Sequence, residues 1–154
     1  MLRISKLTDY GTVVLGHLAQ ADERYASAPE IAGATGVGLP TVSKLLKTLA
    51  RAGLVNSTRG AQGGYRLARE AAGISAADII DALEGPVSIT ECSGADSHCG
   101  IESVCSVGNA WQRINVAIRR ALQDISLHDL QRSSAPTPLF SFVGTPINVE
   151  RKMK

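Results

Sequence analysis

Apolar residues near the N-terminus recur at the spacing of an amphipathic helix. Five positions share one helical face, at steps of three and four residues: Tyr10, Val13, Val14, His17 and Leu18. Thr8 is the expected N-cap, and Asp9 falls in the first turn, where the helix dipole favours a carboxylate. Gly11 and Gly16 either weaken this helix or allow close packing. On this face His17 is expected to be a core histidine.

A helix-turn-helix pattern follows. Ser27-Ala-Pro-Glu30 has the form of a capping box with proline in the first turn, so a short helix begins there. Gly36-Val37-Gly38 predicts a tight turn. A third helix then runs from Pro40 to about Ala52, and Gly53 ends it. Helix, glycine turn and helix together predict a DNA-binding motif.

The third helix separates its apolar and basic residues. Its apolar face holds Val42, Leu45, Leu46 and Leu49. The opposite face carries hydrogen-bond donors for phosphates and base edges: Thr41, Ser43, Lys44, Lys47 and Arg51. This helix has no acidic residue, whereas a solvated helix face usually mixes both charges. The pattern therefore favours DNA binding over the alternative, a helix-turn-helix that contacts other proteins.

A basic β-hairpin is predicted directly after this helix. One strand begins at Leu54-Val55 and a second covers Tyr65 to Leu67. Three glycines shape the tip and let the backbone approach phosphates: Gly60, Gly63 and Gly64. Arg59 at the tip is suited to a minor groove, where negative potential attracts arginine. A hairpin in this position is the wing of a winged helix.

The second half of the chain predicts two more helices. Ser75-Ala-Ala-Asp78 is another capping box, and its helix ends at Gly85-Pro86. A long helix is expected from about Val107 to Leu130. It carries one narrow apolar seam, suited to a partner helix: Trp111, Ile114, Ile118, Leu122 and Ile125. After Gln131, a stretch with three prolines predicts a flexible tail.

The predicted fold class is therefore mainly α with a small β-hairpin: a winged helix-turn-helix followed by a long C-terminal dimerisation helix. We divide the chain into a DNA-binding domain at 1–70, a connecting helix and cysteine-rich loop at 71–106, the dimerisation helix at 107–130 and the tail at 131–154.

Composition narrows the function classes. The chain has 154 residues and a net charge of +2, so any nucleic-acid surface must be local. There is no apolar run long enough for a membrane span, and the N-terminus lacks the apolar core of a secretory signal. We therefore expect a cytoplasmic protein. The sequence shows no Cys-x-x-Cys, phosphate-binding loop or Ser/His/Asp arrangement, so we expect neither an enzyme nor a small-molecule substrate.

All three cysteines fall in one short segment: Cys92, Cys99 and Cys105. Their spacing lacks the close pairs of most structural zinc sites, but a glycine-containing loop with three thiolates suits an iron–sulfur cluster. A zinc site and a direct thiol redox switch remain alternatives. Candidates for a fourth ligand within the segment are Glu91, Asp96, His98 and Glu102.

The motifs together resemble a known family. The opening MLRISKLTDYG, the helix GLPTVSKLLKTLARAGLV, the wing STRGAQGGYRLA and the three-cysteine segment are similar to bacterial winged-helix regulators that sense iron–sulfur clusters. That family includes the isc-operon regulator, the nitric-oxide-sensing repressor and the rhizobial iron regulator. The first 20 residues most resemble the subgroup that regulates the SUF iron–sulfur assembly operon.

The resemblance implies a homodimer that binds operator DNA and represses cluster-assembly genes when the cluster is bound. Cys92, Cys99 and Cys105 match the family's three cysteine ligands. The isc regulator takes its fourth ligand from a histidine where this chain has Gly108. The nitric-oxide sensor instead uses an acidic residue early in helix 1 of the partner subunit, which matches Asp9. The resemblance thus favours Asp9 as fourth ligand, with His98 as the alternative.

Overall fold

The computed structural model describes residues 4–21, 24–60, 62–90 and 107–132. Its elements, in chain order, are α1 (Lys6–Ala19), α2 (Ala28–Thr35), α3 (Leu39–Arg51), β1 (Val55–Thr58), β2 (Gly64–Leu67), a 3₁₀ turn (Ala71–Gly73), α4 (Ala76–Glu84), α5 (Gly108–Gln123) and α6 (Leu127–Arg132). The two strands pair antiparallel. The predicted mainly helical fold with a small hairpin is confirmed. Within these ranges, no helix combines the length and the apolar character that crossing a membrane requires.

Helix α1 begins three residues earlier than the sequence pattern suggests. Ser5 is the N-cap, and its hydroxyl accepts a hydrogen bond from the Thr8 backbone N–H at 3.3 Å. Thr8 is therefore inside the helix and buried, so its prediction as the N-cap is wrong. Asp9 lies in the first turn, as predicted.

The buried face of α1 is rotated from the predicted one. The residues that it buries are Thr8, Gly11, Val14, Leu15 and Leu18. Val13 is exposed and His17 is only half-buried. Both residues were expected in the core, and this expectation is wrong. Gly11 lies on this buried face, where an added Cβ would lie 2.4 Å from Leu83 Cδ1. Because glycine lacks that atom, α4 packs directly against this face.

The helix-turn-helix forms as predicted. Ser27 and Glu30 make the capping box of α2, and Gly36 ends that helix with a φ of 71°. Helix α3 buries all four of its predicted apolar residues. Gly53, with a φ of 74°, follows it. Only glycine adopts such angles without strain, so both helix ends are set by local sequence.

The predicted single helix over 107–130 is divided into α5 and α6. Between them the chain pairs with the segment before α4: the Ala76 N–H donates to Ile125 O at 2.8 Å, and the Leu127 N–H donates to Ile74 O at 2.7 Å. These bonds use backbone groups that a continuous helix would need internally. Ser126 and Asp129 then cap α6 through reciprocal hydrogen bonds.

One hydrophobic core joins both halves of the chain. Residues of α1, α2, α3 and β1 contribute most of it, but Ile74, Ile79 and Leu127 belong to the same cluster and are buried. The core thus extends beyond the predicted boundary at residue 70. Helix α6 is consequently part of the packed body.

Replacing Leu127 with alanine tests this placement of α6. Leu127 is 0% exposed, so Leu127→Ala is expected to lower the free energy of unfolding by about 2–5 kcal/mol through lost burial and an unfilled cavity. Leu130→Ala is the matched control, since Leu130 is 40% exposed on the same helix; it should cost less than about 1 kcal/mol. Urea denaturation measures both. Equal, small losses would show that α6 is not part of the core.

Candidate nucleic-acid interface

Helix α3 presents an exposed face made of cations. Lys44, Lys47 and Arg51 are exposed, while Thr41 and Ser43 lie half-buried at its flanks. Within the described ranges, none of the three cations forms an ion pair. Their charges are therefore not neutralised by neighbouring carboxylates, and they are available to an anionic ligand.

The turn before α3 fixes how this face is presented. Thr35 donates its hydroxyl to Ile31 O at 2.6 Å, and the N–H of Val37 donates to the Thr35 hydroxyl at 3.4 Å. Val37 is buried and anchors the turn to the core. With α3's own apolar side buried behind it, the cationic side faces outward from a rigid support.

The hairpin is attached to the body of the protein along β2. Ala26, which precedes α2, makes an isolated antiparallel bridge with Tyr65: its N–H donates to Tyr65 O at 2.9 Å, and the Tyr65 N–H donates to Ala26 O at 2.8 Å. The guanidinium of Arg66 lies 5.0 Å from the centroid of the Tyr25 ring, within range of a cation–π contact. Two backbone bonds and one side-chain contact thus hold the wing.

The wing tip requires its glycines for steric reasons. A Cβ on Gly63 would lie 2.3 Å from Thr58 O, and one on Gly64 would lie 2.6 Å from Ala26 O. Gly60 has a φ of 114°, which L side chains rarely adopt. Arg59 is exposed beside them. The wing residues predicted to contact DNA therefore lie together at the tip of the hairpin.

Asp9 lies on a different part of the surface. It is exposed and lines a cleft of about 770 Å³ between α1, α4, the end of α5 and α6. The larger apolar residues of this cleft are Ile4, Ile79, Ile80, Leu122, Ile125 and Leu130. A binding partner in this cleft would contact the Asp9 carboxylate and would also cover apolar side chains.

The end of α4 is tied to the start of α1. The Ser5 backbone N–H donates to Glu84 Oε1 at 2.9 Å, and the Thr8 hydroxyl donates to the same oxygen. These two hydrogen bonds, that from Thr8 first, lower the pKa of Glu84 below its usual value because they stabilise the carboxylate. The connection after α4 therefore leaves the body beside the helix that carries Asp9.

A second tie joins α4 to α5. Arg119 and Asp81 form a bidentate ion pair, with Nη1–Oδ1 at 3.1 Å and Nη2–Oδ2 at 2.5 Å. Sequence reasoning missed this pair and the Glu84 contacts. Their partners are 38 and more than 70 residues apart, and no local pattern marks them.

The three predicted cysteine ligands lie outside the described residues. The same is true of the alternative ligands in their segment: Glu91, Asp96, His98 and Glu102. The tail is predicted over 131–154, but Gln131 and Arg132 belong to α6, and Gln131 Nε2 donates to Gly16 O at 2.8 Å. Residues 133–154 lie outside the described ranges. What the structure adds is the position of the elements on both sides of the cysteine segment, α4 and α5.

Comparison with known proteins identifies the family. Residues 4–133 match the model of the Rrf2 family, described as iron-dependent transcriptional regulators. The chain belongs to the Rrf2 family. Protein rrf2 of Nitratidesulfovibrio vulgaris (strain Hildenborough) is 32% identical over 138 residues, which cover 89% of this chain and 92% of that protein.

Two solved structures agree with this Rrf2-family assignment. CymR, the global cysteine regulator of B. subtilis, superposes with a TM-score of 0.66 at 33% identity, covering 88% of this chain and 100% of that one. The IscR of T. potens superposes with a TM-score of 0.64 at 32% identity, covering 87% and 89%. The predicted winged-helix fold is confirmed. This protein is a transcriptional regulator, as its homologues and structural neighbours are, and not an enzyme.

Gly63→Ala tests whether the wing needs its close backbone approach. The added methyl would collide with Thr58 O, so we expect the wing to shift, the protein to lose about 1–3 kcal/mol of stability, and DNA affinity to fall. Gly73→Ala is the control, because its Cβ would meet only Arg69 Cδ at 3.8 Å. Thermal unfolding and a fluorescence-anisotropy DNA titration measure the two effects. A Gly63→Ala protein that matches Gly73→Ala in both would contradict the steric argument.

Proposed function

We propose that this Rrf2-family regulator binds operator DNA as a homodimer, under the control of an iron–sulfur cluster held by Cys92, Cys99, Cys105 and Asp9. The observation that carries the DNA-binding part is the unpaired cationic face of α3 beside a glycine-tipped wing. The three-cysteine segment carries the sensing part.

DNA recognition divides between α3 and the wing. Helix α3 enters the major groove, where Lys44, Lys47 and Arg51 neutralise phosphates while Thr41 and Ser43 reach base edges. Arg59 enters the adjacent minor groove. The backbone at Gly60, Gly63 and Gly64 contacts phosphates, because no side chains intervene there.

The dimer forms through α5. Its apolar seam is partly buried at the C-terminal end, whereas Trp111 and Ile114 at the N-terminal end are 40% and 44% exposed. Val107, four residues before Trp111, is also exposed. Exposed apolar residues on one helical face fit a partner helix better than water. A symmetric dimer then presents two α3 helices to successive major grooves, about 34 Å apart.

The donor set is compatible with a cluster. Thiolates are the usual iron ligands of such groups, and a carboxylate can complete the set. Asp9 is exposed and lines the cleft, so its carboxylate is accessible to a cluster held by the cysteines of the other subunit. When bound, an iron–sulfur cluster supplies metal–ligand bonds that depend on iron supply and on oxidants.

The path from the cysteine segment to the DNA runs through α4. That helix ends at Glu84, which is bonded to Ser5 and Thr8, and it carries Asp81, which is paired with Arg119. It also packs against α1 and α3. A change in the segment that follows α4 therefore shifts the support of the recognition helix and the dimerisation helix together.

The proposed targets are iron–sulfur assembly genes, which the cluster-bound form represses. Support comes from the resemblance of the first 20 residues to SUF-operon regulators and from the family's description as iron-dependent. Scarcity of the cluster then releases the operator and raises the supply of assembly proteins.

A second candidate is a switch that uses the thiols directly, through oxidation or zinc binding. The similarity to CymR, a cysteine regulator, favours it. Under this alternative the path through α4 is the same, and only the chemistry at the three cysteines differs.

Cysteine ligation of a cluster is tested with protein purified without oxygen. This protein is expected to absorb in the visible range with matching iron and sulfide, and Cys92→Ala is expected to lose all three signals. Cluster-bound and chelator-stripped proteins should differ in operator affinity by roughly 5- to 150-fold, the usual range of allosteric coupling. Absorption spectra, metal analysis and gel-shift titration make the measurements.

Asp9→Asn tests whether Asp9 is the fourth ligand of the cluster. Asp124→Asn, which changes another exposed carboxylate, is its control. Asp9→Asn should lose cluster faster in air than the control does. Colourless protein with zinc or no metal would favour the second candidate, and equal affinities of the two forms would contradict control by the cluster.

Lys47→Ala tests the phosphate contacts. Loss of one contact per subunit should flatten the slope of log affinity against log salt by about 0.9 per phosphate, hence about 1.8 for a dimer. Arg132→Ala removes an exposed cation at the end of α6 and should leave the slope unchanged. If Lys47→Ala also keeps the wild-type slope, this lysine does not touch a phosphate.

A further inference from the structure

Leu39, the first residue of α3, is an aliphatic side chain on the surface that reads DNA. It is 43% exposed, whereas the other leucines of this helix, at 45, 46 and 49, are at most 1% exposed. Pro40 beside it is exposed too. Leu39 is not part of the buried core cluster, so its side chain is available to a ligand at the tip of α3.

Helical geometry places Leu39 in line with the proposed DNA contacts. Leu39, Ser43 and Lys47 follow one another at steps of four residues, so they form one ridge along α3. Lys44 lies on the neighbouring ridge, four residues after Pro40. Along this ridge the aliphatic side chain of Leu39 is followed by the hydroxyl of Ser43 and then by the ammonium group of Lys47.

The tip of α3 carries no polar side chain at positions 38–40. Its N-cap, Gly38, has no side chain to cap the helix, and its carbonyl accepts the N–H groups of Thr41 and Val42 at 2.9 and 3.0 Å. Pro40 has no N–H to donate. The tip therefore offers methyl and methylene groups of Leu39 and Pro40 where a recognition helix first meets base edges.

We infer that Leu39 and Pro40 form an apolar subsite for the C5-methyl group of thymine. This rests on the proposed DNA binding and deepens it by naming a base. Among the four bases, only thymine presents an apolar group in the major groove. Against any other base edge, Leu39 would cover hydrogen-bonding atoms and leave them unsatisfied. The operator therefore carries thymine opposite the tip of α3 in each half-site.

The experiment begins with DNA chosen by the protein itself. Full-length protein, purified without oxygen, selects duplexes from a random 30-base-pair library. In one selected duplex, each thymine is then replaced singly by deoxyuridine, which lacks only the methyl group. At one position per half-site, this change should weaken binding about 3- to 5-fold, as expected for the loss of one buried methyl.

Leu39→Ala supplies the second arm. It should weaken binding to the thymine duplex by a similar or larger factor and be insensitive to deoxyuridine at that position. Leu39→Met, which keeps an apolar chain, should retain the sensitivity. Val13→Ala, at an exposed aliphatic residue of α1, should behave as wild type. Unchanged thermal midpoints are expected for all three variants, because Leu39 and Val13 are both exposed.

The outcomes separate the inference from the proposed function. If no duplex is selected, DNA binding itself fails and the inference fails with it. If duplexes are selected but no thymine responds to loss of its methyl, the subsite is refuted while DNA binding stands. A deoxyuridine effect that persists in Leu39→Ala would also refute it. So would a Leu39→Ala protein that sediments as a different oligomer without changing base preference, which would make Leu39 a protein contact.

Discussion

Leu83 of α4 packs over Gly11 of α1, and its Cδ1 occupies the space where a Cβ on that glycine would lie. This contact belongs to the pairing of α1 with α4, in which Glu84 also accepts hydrogen bonds from Ser5 and Thr8. Val14, Leu15 and Leu18 are buried on α1. The other α helices are arranged around this pair, with α3 against both and α6 over the far end of α1.

The same packing separates two kinds of surface. Helix α3 turns its four apolar residues toward the pair and therefore directs Lys44, Lys47 and Arg51 outward. On the other side, α5 is fastened to α4 by Arg119 and Asp81 but leaves the N-terminal end of its seam uncovered. The net charge of the chain is only +2, yet one face of α3 concentrates positive charge. The net charge alone therefore does not indicate which ligand this face binds.

Sequence signals that act over a few residues were sufficient to predict the elements whose ends are set by neighbouring residues. The capping boxes at Ser27 and Ser75 and the glycine at position 36 predicted α2, α4 and the turn, because caps and left-handed glycines act within a few residues. The orientation of α1 depended on Leu83, far along the chain, and so was missed. The α5–α6 break depended on pairing with residues 74–76, although Ser126 and Asp129 carried a capping-box pattern that could have indicated it.

The cysteine segment lies between α4 and α5 in the chain, and charged side chains tie both helices to neighbouring elements. Glu84 holds the end of α4 to α1, and Arg119 holds α5 to α4 through Asp81. In the proposed function, a change at the cysteines reaches the DNA-binding surface through these contacts of α4, and this route is common to a cluster, a zinc ion and an oxidised thiol. On that proposal the thiols determine which signal is sensed, and the contacts of α4 determine which helices respond to it.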